Sequence, residues 1–219
     1  MTTPHPAHAV VLSVNVGQPR ATTGSREART AIGKVPVSGP ARATPFGLLG
    51  DAVGSPDVHG GVDMAVYAYA REDLDRWAAE LGIELPDGWF GENLTTSGID
   101  VNEALVGERW RIGGALFEVA KVRIPCNTFQ IRIAEAGGPT RGWVRRFTED
   151  ARPGPYLRVL EEGEVAAGDA IEIVHRPDHG VTVSHMFRAL TTEPALLPDL
   201  AAIEGLATSV RSKVEDYIS

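Results

Sequence analysis

Glycine and proline recur at short intervals between residues 31 and 61, and this spacing constrains the fold more than any other feature of the sequence. Such spacing favours short strands and tight turns over helices. Residues 10–16 show the period-two pattern of a strand with one face more buried. Residues 109–112 and 115–123 indicate two more strands, and Gly113-Gly114 between them predicts a hairpin turn. We therefore expect a β-rich body.

Helical patterns are fewer and most of them come late in the chain. Residues 71–82 place Leu74, Trp77 and Leu81 on one apolar stripe, which predicts an amphipathic helix. Residues 141–150 can form another helix. After residue 176 the pattern changes to three short helices, at 181–190, 195–203 and 206–218. The prediction is a body of residues 1–176 with a small three-helix tail, residues 177–219.

Composition and charge exclude several classes of partner. The formal net charge of −8 disfavours a nucleic-acid partner, which needs excess Lys and Arg to neutralise phosphates. No apolar run is long enough to span a bilayer, so no membrane partner is expected. The N-terminus does not resemble a signal peptide, and a single cysteine fits a reducing compartment. These features predict a cytoplasmic protein, and they carry no prediction of oligomeric state.

The single cysteine stands in an unusual setting. Residues 121–127 read Lys-Val-Arg-Ile-Pro-Cys-Asn, so Cys126 follows a predicted strand and lies three residues after Arg123. A neighbouring cation can stabilise a thiolate, which is both the nucleophilic form and a soft metal ligand. The alternative is that Cys126 is a small buried hydrophobic residue, the usual fate of a free cysteine.

Two further segments could carry polar contacts to a ligand. Residues 57–63 read Asp-Val-His-Gly-Gly-Val-Asp, where Gly60 and Gly61 would allow close backbone approach and His59 offers a donor or an acceptor. Residues 90–96 read Phe-Gly-Glu-Asn-Leu-Thr-Thr and are rich in polar side chains. Each segment is equally typical of a turn with locally bonded side chains. The sequence holds no glycine-rich phosphate loop and no Gly-x-Ser-x-Gly elbow.

Taken in order, several short segments resemble the MOSC family, the domain named for the C-terminus of molybdenum-cofactor sulfurase. The matching segments are residues 34–37, 47–51, 59–63, 90–94, 106–113, 123–126, 156–160 and 163–169. The resemblance covers roughly residues 30–176. The three predicted C-terminal helices resemble the appendage of stand-alone bacterial members that are linked to resistance against N-hydroxylated purine bases.

The resemblance implies a fold and a cofactor. The fold would be mainly β with α, a MOSC-type β-barrel similar to the pyruvate kinase β-barrel domain, with a small C-terminal three-helix appendage. The cofactor would be the molybdenum cofactor (molybdopterin), with Cys126 as the protein ligand to the metal. At the family level there are also associations with sulfur-carrier activity and pyridoxal phosphate binding.

The implied activity is reduction of a small N-hydroxylated substrate such as a hydroxylaminopurine. The sequence has no flavin, haem or iron–sulfur motif, so the electrons would come from a separate electron-donating redox protein. An alternative is a non-catalytic cofactor carrier or sulfur-transfer module with persulfide sulfur on Cys126. A third is a member without cofactor, because Met64 stands where stand-alone members usually carry Lys or Arg.

Matching the family motifs position by position points to Cys126, Arg123, His59 and Asp63, and the other candidates are polar or glycine residues that could contact the cofactor. Cys126, His59 and Asp63 are the candidate catalytic residues, and Cys126 is also the metal ligand. The candidate cofactor-binding residues are Lys34, Gly60, Gly61, Asn93, Thr95, Arg123 and Asn127.

Overall fold

The computed structural model describes residues 8–21, 29–52 and 60–219, and within them the chain is mainly β with helices between and after the strands. The strands are β1 Val10–Val16, β2 Arg20–Ala21, β3 Arg29–Thr30, β4 Val35–Pro36, β5 Ala41–Thr44, β6 Gly47–Leu48, β7 Val66–Ala70, β8 Leu94–Ser97, β9 Arg109–Ile112, β10 Ala115–Val122, β11 Pro155–Glu161, β12 Gly163–Val165 and β13 Ile171–His175. The α-helices are α1 Arg71–Leu81, α2 Asn127–Glu135, α3 Trp143–Asp150, α4 Val183–Leu190 and α5 Thr208–Ile218, and 3-10 helices cover Val62–Met64 and Pro194–Leu200.

The largest sheet has eight strands in the order β13-β9-β10-β11-β7-β8-β1-β4. Neighbouring strands are antiparallel except β7 and β8, and β9 and β10 form the predicted hairpin. An isolated bridge between Val10 and Ala170 connects β1 to the residue before β13. Among the described residues, the sheet therefore curls until its two sides meet at one bridge, without the continuous ladder of a closed barrel.

Helix α1 has the features that allowed it to be predicted from the sequence. Glu72 and Asp73 lie in its first turn, where the helix dipole favours acids, and Leu74 and Trp77 are buried. Gly82 caps its C-terminus in the left-handed conformation, with a φ of 66°. The prediction of a helix over residues 71–82 is confirmed to within one residue.

The C-terminal segment packs against the sheet. Phe187 of α4, Leu200 of the second 3-10 helix and Val210 of α5 belong to the same buried apolar cluster as Trp110 and Phe117 of the sheet. The middle helix of the predicted tail is a 3-10 helix with Pro194 and Pro198 in it. The tail and the sheet thus share one core.

A second apolar cluster, separate from the first, joins α1, α2 and α3. Its rings meet edge to face, with 4.7 Å between the centroids of Phe90 and Phe129 and 5.0 Å between those of Phe129 and Phe147. Helix α2 was not predicted from the sequence, and Phe129 and Ile133 anchor it in this cluster. This packing fixes the position of the α2 N-terminus, next to Cys126.

None of the helices in the described part of the chain combines the length and the apolar character that a bilayer crossing requires.

Candidate functional site

A cavity of about 790 Å³, counting the space open to solvent, lies where the 29–34 segment faces the β10–α2 junction. Four of the predicted site residues line it, namely Lys34, Asn93, Arg123 and Cys126. Tyr67 of β7 and Tyr156 of β11 complete one wall. The structure therefore brings together residues that lie more than a hundred positions apart in the sequence, from Lys34 to Tyr156.

Cys126 is a free, half-buried thiol on the cavity wall. It has extended backbone angles (φ −130°, ψ 174°) and occupies the N-cap position of α2. Its carbonyl oxygen accepts hydrogen bonds from the amides of Phe129 at 3.1 Å and Gln130 at 3.3 Å. The first amides of a helix create positive potential at this end, so the structure presents a soft donor in an electropositive setting.

Arg123 supplies a buried positive charge to the same cavity. The residue is only 6% exposed, and its guanidinium lies 4.0 Å from the Phe129 ring centroid and 5.2 Å from that of Tyr67. Its Nη1 donates to the carbonyl oxygen of Phe90. No Asp or Glu among the described residues forms an ion pair with it, and a buried charge without a counter-ion is costly. The site is thus suited to an anionic ligand.

Lys34 contributes less free charge than the sequence suggested. Its Nζ lies 2.5 Å from both carboxylate oxygens of Asp51, and both side chains are more than nine-tenths buried. Burial lowers the pKa of Lys34, and the Asp51 carboxylate opposes that shift. Asp51 also accepts from the Gly17 amide at 2.7 Å and from Asn93 Nδ2 at 2.8 Å. Lys34 and Asn93 therefore build a rigid, nearly neutral wall.

Glu92 lies behind this wall and is fully buried. Its Oε1 accepts from the Gly88 amide at 2.6 Å and from Thr95 Oγ1 at 3.1 Å, while Oε2 has no hydrogen-bond partner in the described part of the chain. Burial raises the pKa of Glu92 to about 7. Gly88, with a φ of 79°, passes so close to Lys34 that a Cβ there would lie 2.7 Å from the Lys34 carbonyl oxygen. Glycine at position 88 allows this close approach.

The other predicted site residues lie elsewhere. Thr95 is buried in β8 and accepts from Asn15 Nδ2 at 3.0 Å, away from the cavity. Asp63 Oδ1 accepts from Arg158 Nε at 2.9 Å and Nη2 at 2.5 Å. Gly60, Gly61 and Asn127 do not line the cavity, and His59 lies outside the described residues.

Several cavity residues had no predicted role. Tyr67 and Tyr156 face each other across β7 and β11, with ring centroids 5.1 Å apart. Arg29 adds a second guanidinium, which donates to the Pro19 carbonyl oxygen at 2.6 Å. In the sequence, Asp51 was marked only as the last residue of one segment that matches the family. No sequence pattern reveals which strands become neighbours, so the tyrosine pair could not have been found.

Across the described residues, no group of three or more His, Cys, Asp or Glu is arranged to hold a metal ion. A metal in the described cavity would therefore have Cys126 as its soft protein ligand and would need its other ligands from a cofactor.

Comparison with known proteins decides the family. The sequence model of the MOSC domain family matches residues 55–172, which is more than half of the chain. The chain belongs to the MOSC domain family. Its mainly β fold with helices, predicted from the matching segments, is confirmed as a MOSC-type fold.

Relatives of this MOSC protein include an uncharacterized protein, YflK of Bacillus subtilis (strain 168), which is 29% identical over 211 residues and 93% of both chains. A protein named Reductase from Gibberella moniliformis (strain M3125 / FGSC 7600) is 32% identical over 184 residues. That match covers 80% of this chain but only 31% of the Gibberella protein. The crystal structure of YiiM from Geobacillus stearothermophilus superposes with a TM-score of 0.79 at 24% identity, covering 96% of this chain and all of that one.

Proposed function

We propose that this MOSC protein is a molybdenum-cofactor-dependent reductase of small N-hydroxylated compounds of the hydroxylaminopurine type. The observation that carries the proposal is the meeting, in one cavity, of the Cys126 thiol and the Arg123 guanidinium, which has no carboxylate partner among the described residues. A Gibberella relative that bears the name Reductase supports the reaction class, although the match covers a minor part of that protein.

The residues of the cavity fit the cofactor's chemistry. Molybdenum favours a thiolate ligand, which Cys126 can provide, and the phosphate of a pterin cofactor needs cations such as Arg123 and Arg29. Met64 lacks the charge that stand-alone members usually carry at that position. The Nζ of Lys121, however, lies 4.0 Å from Met64 Sδ, so a positive charge from β10 stands beside this position.

The reaction converts an N–OH group into N–H and water, and it consumes two electrons and two protons. When bound, the cofactor supplies the redox-active metal that delivers electrons to the substrate. Cys126 would anchor the metal, Arg123 would hold an anionic group, and the aromatic wall would exclude water. A separate redox protein would supply the electrons, and the lone thiol suits the reducing cytoplasm.

Metal analysis tests the proposal directly. Wild type and Cys126→Ser are expressed in a host with an intact molybdenum-cofactor pathway, and each is assayed for molybdenum, pterin and turnover of a hydroxylaminopurine with reduced methyl viologen as electron source. We expect the variant to hold a tenth or less of the wild-type molybdenum. Cys126→Ala should behave in the same way, and circular dichroism spectra would verify that both variants fold.

Two results would contradict the proposal. Equal molybdenum in the wild type and both variants would exclude Cys126 as the metal ligand. A loaded wild type that reduces no N-hydroxylated compound would favour the carrier or sulfur-transfer role.

A further inference from the structure

We propose that the hydroxyl of Tyr156 donates the proton with which the substrate's N-hydroxyl oxygen leaves as water. The inference rests on the proposed reductase function and gives that site a specific proton donor. Tyr156 belongs to one of the segments that match the MOSC family, but no role follows from that match.

The sheet register places Tyr156 at the cavity wall. On β11 it is the antiparallel partner of Tyr67 on β7 and of Lys121 on β10. Its neighbour Pro155 pairs with Val122, the last residue of β10, and the chain continues from there through Arg123 to Cys126. Arg123 and Cys126 line the same cavity as Tyr156. The phenol is thus held between two packed strands, beside the thiol and the buried cation.

The other acidic groups of the cavity are already engaged. The Tyr67 hydroxyl donates to the Pro153 carbonyl oxygen at 2.7 Å, and Lys34 is bound to Asp51. Guanidinium groups and threonine hydroxyls are too weakly acidic to act as general acids near neutral pH, whereas tyrosine is an established type of donor. Within the described residues, the Tyr156 hydroxyl forms no hydrogen bond and is therefore available to a ligand.

The surroundings of Tyr156 suit a hydroxyl that donates a proton and then regains one. Burial raises the pKa of Tyr156, and nearby Arg123 opposes that shift. A tyrosine hydroxyl ordinarily holds its proton near neutral pH. After donation, the guanidinium of Arg123 would stabilise the phenolate, and Tyr156, which is partly exposed at the cavity wall, can regain a proton from solvent.

For a substrate R–NH–OH, the reaction consumes two electrons and two protons. Two electrons from the redox protein break the N–O bond. The departing hydroxide takes the Tyr156 proton and becomes water, and the nitrogen takes its proton from solvent to give R–NH₂. Without the donor, the leaving group would be hydroxide, which is a poor leaving group at neutral pH.

Tyr156→Phe tests this role, because it removes the hydroxyl and keeps the ring that packs on Tyr67. The matched control is Tyr69→Phe on β7, whose buried hydroxyl has no partner among the described residues and does not line the cavity. Both variants should carry wild-type molybdenum. With reduced methyl viologen and a hydroxylaminopurine, we expect kcat to fall by about 10²–10⁴-fold in Tyr156→Phe and to stay at the wild-type value in Tyr69→Phe.

Ligand binding without turnover gives a second readout. In the oxidised, loaded protein, Tyr156→Phe should weaken binding of the N-hydroxylated base about tenfold and leave binding of the amine product, which lacks the oxygen, unchanged. An active wild type with an equally active Tyr156→Phe would overturn the donor role alone, as would loss of molybdenum from that variant. A loaded wild type without any reductase activity would overturn the proposed function and the donor role together.

Discussion

Glu92 is a carboxylic side chain that the fold buries completely. Burial raises its pKa from 4.5 to about 7, so the folded protein holds this proton where the unfolded chain has already lost it. A carboxyl whose pKa is raised by folding stabilises the protein below its unfolded pKa, and that contribution is lost as the pH rises through the folded pKa. The loss amounts to about 3 kcal/mol between about pH 4.5 and 7.

Glu92→Gln removes this titration and keeps an oxygen that can accept from Gly88 and Thr95. We expect the free energy of unfolding of the variant, measured with urea, to exceed that of the wild type by a margin that grows by about 2–3 kcal/mol from pH 5 to pH 8. Glu103→Gln, at an exposed position, is the control and should follow the wild-type curve. Parallel curves for wild type and Glu92→Gln would show that the carboxyl does not titrate in this range.

At the residue scale, the sequence predicted part of the cavity. Arg123 and Cys126 are neighbours in sequence, so their joint placement could be foreseen from local pattern. Lys34 and Asn93 were found through the matching segments, and both line the cavity. Tyr156 meets Tyr67 only through the pairing of β7 with β11. That pairing depends on the whole sheet, which local periodicity cannot specify.

At the scale of secondary-structure elements, prediction succeeded where periodicity was strong and failed where tertiary packing decides. Helix α1 has a regular apolar stripe and was predicted, whereas α2 contains Ile131 and Ile133, whose β-branched side chains disfavour helices. Packing of Phe129 and Ile133 in the aromatic cluster outweighs this preference. Strand β8, Leu94–Ser97, is completely buried although three of its residues are polar, so its sequence resembled a turn.

Helix α1 is fixed to its surroundings by Asp73. Its carboxylate, nearly inaccessible to solvent, accepts from Arg152 Nε at 2.7 Å and Asn102 Nδ2 at 2.8 Å. Asp73→Ala leaves the buried Asn102 amide without its acceptor, while Arg152 keeps Asp100 at 2.9 Å, so the free energy of unfolding should fall by about 2 kcal/mol. Asp75, on the same helix, is more than half exposed and pairs with Arg71.

The matched variant Asp75→Ala should lower the free energy of unfolding by no more than about 0.5 kcal/mol, since exposed ion pairs contribute little. Urea unfolding at pH 7 would measure both variants. Losses of equal size would contradict the anchoring role of Asp73.

At the scale of the whole molecule, the C-terminal helices and the sheet form one core, so we expect them to unfold together. All four tryptophans, Trp77, Trp89, Trp110 and Trp143, lie before the tail. Phe187 in α4 is fully buried against the shared cluster. Phe187→Ala should therefore lower the free energy of unfolding by about 3–5 kcal/mol. Tryptophan fluorescence should report this loss, although no tryptophan lies in the tail.

The control for this experiment is Ile218→Ala at an exposed position of α5, which should change the same transition by less than about 1 kcal/mol. Circular dichroism and tryptophan fluorescence should give coincident transitions for the wild type. A tail that melts separately, with an unchanged fluorescence midpoint in Phe187→Ala, would show that the body folds independently.

The bridge between Val10 and Ala170 also bears on how the chain is made. The Val11 amide donates to the Asp169 carbonyl oxygen at 2.9 Å, and the Gly168 amide donates to that of Val11 at 2.8 Å. A ribosome adds about 5–20 residues per second, so β1 waits roughly 10–30 s for these partners. The nascent chain therefore exposes an incomplete sheet edge during most of its synthesis, and we expect it to depend on chaperones that bind unpaired apolar strands before the last helices arrive.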